Sequence, residues 1–213
     1  MQANVAHHLN WKLGVVLLAA GRSGRMGRPK LLLPWGDTSV LGHLLRLWQQ
    51  VAATQIAVVC AADDRAIQIE LDRLNFPAAH RIPNAQPERG MFSSIRCAAD
   101  WRGWSAEVTH WAIALGDQPQ LQLETLRSLM RFSLSRPTAI CQPRRLGYLR
   151  HPVILPRDVF TELSQTEAPT LKEFLRARVD RIEACDVDDP GLDIDLDTPA
   201  DYDRAVAALA RVA

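Results

Sequence analysis

The sequence predicts an α/β fold, a mostly parallel, Rossmann-like sheet with helices on both faces, carried in one domain over residues 1–213. Three observations predict it. Short apolar runs alternate with longer stretches of helical spacing along nearly the whole chain, which is the pattern of strands joined by crossover helices. The first run, Leu13 to Ala19, is unbroken, as suits a central strand buried on both faces. Two of the runs empty directly into loops of unusual composition, and in open α/β sheets the ligand crevice lies beyond such strand ends.

The elements follow in order. Residues 1–12 read as a flexible N-terminal extension. After the first strand and its glycine-rich loop, Thr38 or Ser39 can cap a helix whose Leu41, Leu44, Leu45 and Trp48 share one face. Ile56 to Cys60 reads as a strand, Asp63 to Leu74 as a helix, and Trp111 to Leu115 as a strand that ends in Gly116 and Asp117. Downstream, 138–142 and 152–155 read as strands and 171–179 as a helix. The final helix, 199–211, has Thr198 as cap and Pro199 at its first position.

Bulk composition narrows the function. The 213 residues, 47% hydrophobic, can bury a sizeable core. Lys and Arg number 25 against 24 Asp and Glu, so no whole-molecule field recruits nucleic acid or an anionic membrane, and phosphate affinity must be local. Cys60, Cys97, Cys141 and Cys185 form no Cys-x-x-Cys pair, and three of them read as core. The longest apolar run is too short to cross a bilayer and no signal-like leader opens the chain, so a cytoplasmic location is expected.

Between Leu18 and Lys30 the chain packs Gly21, Gly24 and Gly27 with Arg22, Arg25, Arg28 and Lys30. Glycines let backbone N–H groups approach an anion closely, and arginine offers a fork that matches phosphate oxygens. The spacing excludes a P-loop, because Gly27 is followed by Arg28, Pro29 and Lys30, and excludes a dinucleotide fingerprint, because Gly21 to Gly24 is too wide. The alternative, a solvated turn that happens to be basic, is outweighed because position after a buried strand, glycine spacing and charge agree on phosphate. Two acidic stretches accompany the loop. Asp117 leaves a strand end, where a carboxylate can hold magnesium or merely form a turn. Asp193, Asp195 and Asp197 alternate with apolar residues, but no glycine stands at Thr198 and no glutamate at Arg204, so the calcium-loop template fails. Asp197 and Thr198 can equally cap the last helix. Residues 84–94 form a polar loop entering a helix, a place where N–H groups can meet an anion.

Leu17 to His43, with Ala19-Ala20-Gly21 and Lys30, resembles the opening signature of the molybdenum cofactor nucleotidyltransferases, nearest their cytidylyltransferase branch. Gly116-Asp117-Gln118-Pro119 and the stretch Asp195 to Tyr202 are similar to two further family segments. The resemblance implies a fold of the nucleotide-diphospho-sugar transferase type. It implies that Leu18, Ala19, Ala20, Gly21, Arg22, Ser23, Gly24, Arg25 and Lys30 wrap a triphosphate, with Lys30, Arg25 and Asp117 catalytic. Asp117 and Asp195 would hold Mg²⁺, with Asp193 and Asp197 as alternatives to Asp195. Asn84, Gly90 and Ser94 would line the nucleotide or acceptor pocket, and His151 with Arg150 would face the acceptor, although Arg150 stands where the family has glycine. The implied partners are CTP, a molybdopterin-type acceptor, and a molybdenum-dependent dehydrogenase that receives the product. GTP or a sugar-phosphate acceptor on the same fold, or a non-catalytic carrier of the cofactor, are the competing expectations.

Overall fold

The computed structural model describes residues 11–209. Residues 1–10 of the predicted extension and residues 210–213, which include the last two of the predicted final helix, lie outside the described residues. Trp11 runs into the first strand with its ring 5.3 Å from that of His110. β1 (Leu13–Leu18) is buried at every position. Leu13, Val15 and Leu17 join one core while Val16 and Leu18 join the other, the alternation of a strand covered on both faces.

A short ribbon, β2 (Pro34–Trp35) and β3 (Thr38–Ser39), precedes α1 (Val40–Gln50). Ser39 is the cap, accepting from the Gly42 N–H at 3.0 Å. β4 (Gln55–Ala61) leads to α2 (Arg65–Arg73), which starts later than its apolar pattern because Asp64 caps it, accepting from the Ile67 N–H at 3.1 Å. β5 (Arg81–Asn84) has little apolar signal and carries Pro83, which an edge strand tolerates. α3 (Met91–Asp100) and β6 (His110–Leu115) follow.

The second half holds α4 (Leu123–Leu134), β7 (Ile140–Arg145), β8 (Tyr148–Leu149), β9 (Val153–Pro156), α5 (Arg157–Glu162), α6 (Leu171–Arg176), β10 (Ile182–Asp186) and α7 (Pro199–Leu209). β7 extends past its apolar part because Arg144 and Arg145 pair with Leu149 and Tyr148 of β8 across a turn with positive φ at Leu146 and Gly147. The helix expected over 171–179 stops at Arg176, and Val179–Arg181 forms a separate 3₁₀ turn. Thr198 does cap α7: its hydroxyl accepts from the Asp201 N–H at 3.3 Å, and Asp201 Oδ2 accepts from the Thr198 N–H at 2.8 Å.

The eight-stranded sheet runs β10-β7-β9-β6-β1-β4-β5, with β8 off β7. β9 is antiparallel to both neighbours, and the pairs β5–β4, β4–β1, β1–β6 and β7–β10 are parallel. α1, α2 and α4 bury Leu44, Leu71 and Leu126 against one face, while α3, α5 and α6 bury Ile95, Phe160 and Phe174 against the other. The carboxyl ends of β1, β4 and β6 therefore share one edge. No described helix is long and apolar enough to cross a membrane.

Candidate active site

The glycine loop leaves β1 alongside β4, where the Ala19 N–H donates to Val59 O at 2.7 Å. Ser23 (φ 49°) and Gly27 (φ 65°) turn the backbone through the left-handed region, and buried Met26 pins the loop's middle to the core. The Lys30 N–H donates to Ser23 Oγ at 3.1 Å and closes the loop on itself. This folding carries Lys30 inward. Its Nζ donates to Asp117 Oδ2 at 2.6 Å and lies 3.6 Å from Asp197 Oδ1, with the lysine side chain only 14% exposed.

Asp117 is brought there by Gly116. A Cβ at Gly116 would lie 2.4 Å from Leu18 O, so only glycine lets the ends of β6 and β1 come this close. The second acidic segment is drawn to the same place: the Leu196 N–H donates to Asp117 O at 2.9 Å, and Gln118 Nε2 donates to Asp195 Oδ1 at 2.9 Å. Burial, and then the nearby charge of Asp117, push the Asp195 carboxyl above the ordinary aspartate range. Two carboxylates crowded in this way form a hard oxygen donor set that a divalent cation would relieve. Among the described residues no three His, Cys, Asp or Glu side chains gather to cage an ion, so a cation at this pair would draw its other ligands from phosphates and water.

The three alternating acids have separate partners. Asp193 is bound by Arg145 and by Arg150 Nε (2.7 Å), and these hydrogen bonds, Arg150's first, hold its carboxyl below the ordinary range. Asp195 accepts from Gln118 and lies close enough to Asp117 to feel its charge. Asp197 lies 3.0 Å from Arg25 Nη2 as well as near Lys30.

A cavity of about 340 Å³ opens beside this cluster. Leu18, Ala20, Gly21, Arg22, Lys30, Gly116 and Asp117 form one wall, and Pro87, Glu88, Gly90, Met91 and Ser94 form the opposite one. Ala19, Ser23, Gly24 and Arg25 shape the loop from outside the wall. Asn84 also lies behind the wall: fully buried, it donates to Ser93 Oγ (2.8 Å) and Ser94 Oγ (2.9 Å) and accepts from the Gln86 N–H (2.8 Å), which builds the turn into α3. Gly90 (φ 87°) starts that helix with no side-chain cap, and Gly90, Met91 and Ser94 of its first turn line the cavity. His151 donates from Nδ1 to Ile113 O at 3.2 Å, and burial lowers its basicity. Arg150 is held by Asp193 and lies 5.2 Å over the Tyr148 ring.

Sequence reasoning missed Asp189. It is buried and accepts from the Gln122 N–H (2.9 Å), Thr125 Oγ1 (2.8 Å) and the Gly191 N–H (2.8 Å), tying the acidic segment to the start of α4. Asp189-Pro190-Gly191 reads as an ordinary turn, and only the distant partners reveal the clip. Asp189→Ala should strand those donors, lowering unfolding free energy by roughly 3 kcal/mol in a urea titration. An unchanged midpoint would remove the clip from this account.

A cationic glycine loop beside carboxylates at the carboxyl edge of an open α/β sheet suits a nucleotidyltransferase, the class to which the family match assigns the chain. The chain belongs to the family of the MobA-like NTP transferase domain, which matches residues 15–182. It is 24% identical to the molybdenum cofactor cytidylyltransferase of Escherichia coli K12, over 88% of this chain and 92% of that protein. A "Probable molybdenum cofactor guanylyltransferase" of Carboxydothermus hydrogenoformans is 33% identical over 40% of this chain and 41% of its own length. The crystal structure of Rv0371c from Mycobacterium tuberculosis H37Rv in complex with manganese superposes with a TM-score of 0.66 at 27% identity, covering 92% of this chain and 98% of that one.

Proposed function

We propose that the protein transfers CMP from CTP to the terminal phosphate of a molybdopterin-type acceptor and releases pyrophosphate. One observation carries the reading: Lys30, from the chain's beginning, and Asp117, from its middle, pair in the lining of one cavity walled by the glycine loop, and Asp195, from its end, lies close enough to feel both charges. Similarity to a cytidylyltransferase over most of both chains, and the Ala19-Ala20-Gly21 form of the loop, favour CTP.

In the reaction an acceptor phosphate oxygen forms a bond to the α-phosphorus of CTP as the bond from that phosphorus to the bridging α–β oxygen breaks, and the electron pair leaves with pyrophosphate. Arg22, Arg25 and Lys30 offset charge on the triphosphate, loop N–H groups orient it, and the α3 N-terminus receives a polar group at the opposite wall. Asp117 and Asp195 are the residues that would hold magnesium, which when bound neutralises phosphate charge and polarises a phosphoryl oxygen. Gln118 orients Asp195 through the hydrogen bond to its Oδ1. Arg150 and His151 are assigned to the acceptor side. No side-chain nucleophile is required, because positioning and charge neutralisation supply most of the rate. The product would pass to a molybdenum-dependent dehydrogenase.

The partial match to a guanylyltransferase keeps GTP as the second reading. A pyrophosphate-release assay with purified molybdopterin and CTP, GTP, ATP or UTP separates them. CTP is expected to give the highest kcat/KM, by at least about tenfold, the discrimination of roughly 1.4 kcal/mol that one base-specific contact supplies. Preference for GTP would reverse the assignment, and turnover only with a sugar phosphate would replace the acceptor.

A further inference from the structure

Asp197 differs from its neighbours in what it touches. One carboxylate oxygen lies 3.0 Å from Arg25 Nη2 and the other 3.6 Å from Lys30 Nζ. The hydrogen bond from the Lys30 N–H to Ser23 Oγ folds the loop so that a single acid reaches both cations. The Asp197 side chain is 34% exposed, so solutes reach it. The loop has a second attachment, to the helix that follows Asp197: the Arg28 guanidinium lies 5.5 Å over the Tyr202 ring of α7, whose hydroxyl donates to Pro34 O at 2.6 Å. Releasing Asp197 therefore leaves the loop anchored.

A carboxylate that bridges two loop cations does there what phosphate oxygens would do. We propose that Asp197 is the internal counter-anion of the glycine loop, holding Arg25 and Lys30 until a polyphosphate displaces it and thereby weakening polyphosphate binding. The inference rests on the reading of the cavity as a triphosphate site. Its physical basis is competition: a ligand that needs both cations binds only the fraction of molecules in which they are released, and its apparent affinity falls by that fraction. The same competition speeds departure of pyrophosphate, because Asp197 returns to the cations as the product leaves.

The test is calorimetric titration of the full chain with CTP and, separately, inorganic tripolyphosphate, in EDTA so that no divalent cation links acid to phosphate. Asp197→Asn keeps the size and much of the hydrogen bonding of the acid and should bind both ligands roughly 5- to 20-fold more tightly, the range set by two partly exposed ion pairs. In an Arg25→Gln background the gain should shrink to about twofold, since the acid then holds only Lys30. A merely structural role would loosen binding and add independently of Arg25. Asp197→Ser, with the same expected tightening, serves if the Asn variant fails to fold. Weaker or unchanged affinity, or the full gain retained without Arg25, overturns the proposal. Binding of neither ligand by the wild-type protein overturns the triphosphate reading itself.

Discussion

Asp117→Ala is expected to abolish measurable pyrophosphate release, a loss of at least ~10²-fold in kcat, while the protein keeps its native circular dichroism spectrum. The carboxylate accepts from Lys30 Nζ at 2.6 Å and lies near Asp195, so its removal takes away one member of the proposed donor pair for a divalent cation and the counter-charge that aims the lysine. The fold should survive for a stated reason. Asp197 remains 3.6 Å from the ammonium, the site opens onto a cavity, and the backbone carbonyl that receives the Leu196 N–H is untouched by the substitution. Asp117→Asn tests the same point with less change in shape. It keeps an oxygen for Lys30 but not the charge for a cation, and should be nearly as inactive. Wild-type turnover in either variant would remove Asp117 from the mechanism.

Lys30→Met should lower kcat/KM for the triphosphate by ~10²-fold, with most of the apolar stem's packing kept. Among the described residues the ammonium is the one cation that both lines the cavity and contacts the carboxylates, so on the proposed reading its loss acts on triphosphate binding and on the arrangement of the acids together. Lys30→Arg should not restore activity, since a planar fork cannot take the place of a compact ammonium in a site 14% exposed. Steady-state kinetics across CTP concentrations, read with a thermal melt, check this. Unchanged kinetics in Lys30→Met would assign the loop a structural part only.

What was legible in the chain was whatever adjacent residues decide. The unbroken run of β1 announced a strand covered on both faces, the glycines and cations after it announced a tight basic turn, and Gly116-Asp117 announced a carboxylate at a strand end. The weakly patterned elements escaped. β5 carries a proline and little apolar sequence and β10 buries only Cys185, so local pattern says little about them, whereas α4 escaped although Leu123, Leu126, Leu129 and Met130 recur at helical spacing. β5 and β10 lie at the two edges of the sheet, where burial demands least of the side chains.

The division of labour in the acidic segment was not legible at all. Asp193, Asp195 and Asp197 alternate identically in sequence, yet one is neutralised by Arg145 and Arg150, one is held by Gln118 near the charge of Asp117, and one holds Arg25 and Lys30. Asn84 and Ser94 likewise read alike, but Ser94 reaches the cavity while Asn84 builds the turn behind it.

By itself, then, the sequence determined the α/β layering and the two strand-end loops, because hydrophobic period and glycine placement act over a few residues and need no distant partner. The tertiary structure alone decided which acid meets which cation, because a charge's effect depends on separation and burial, and both are set only once β1, β6 and the segment before α7 have been brought to the same edge of the sheet.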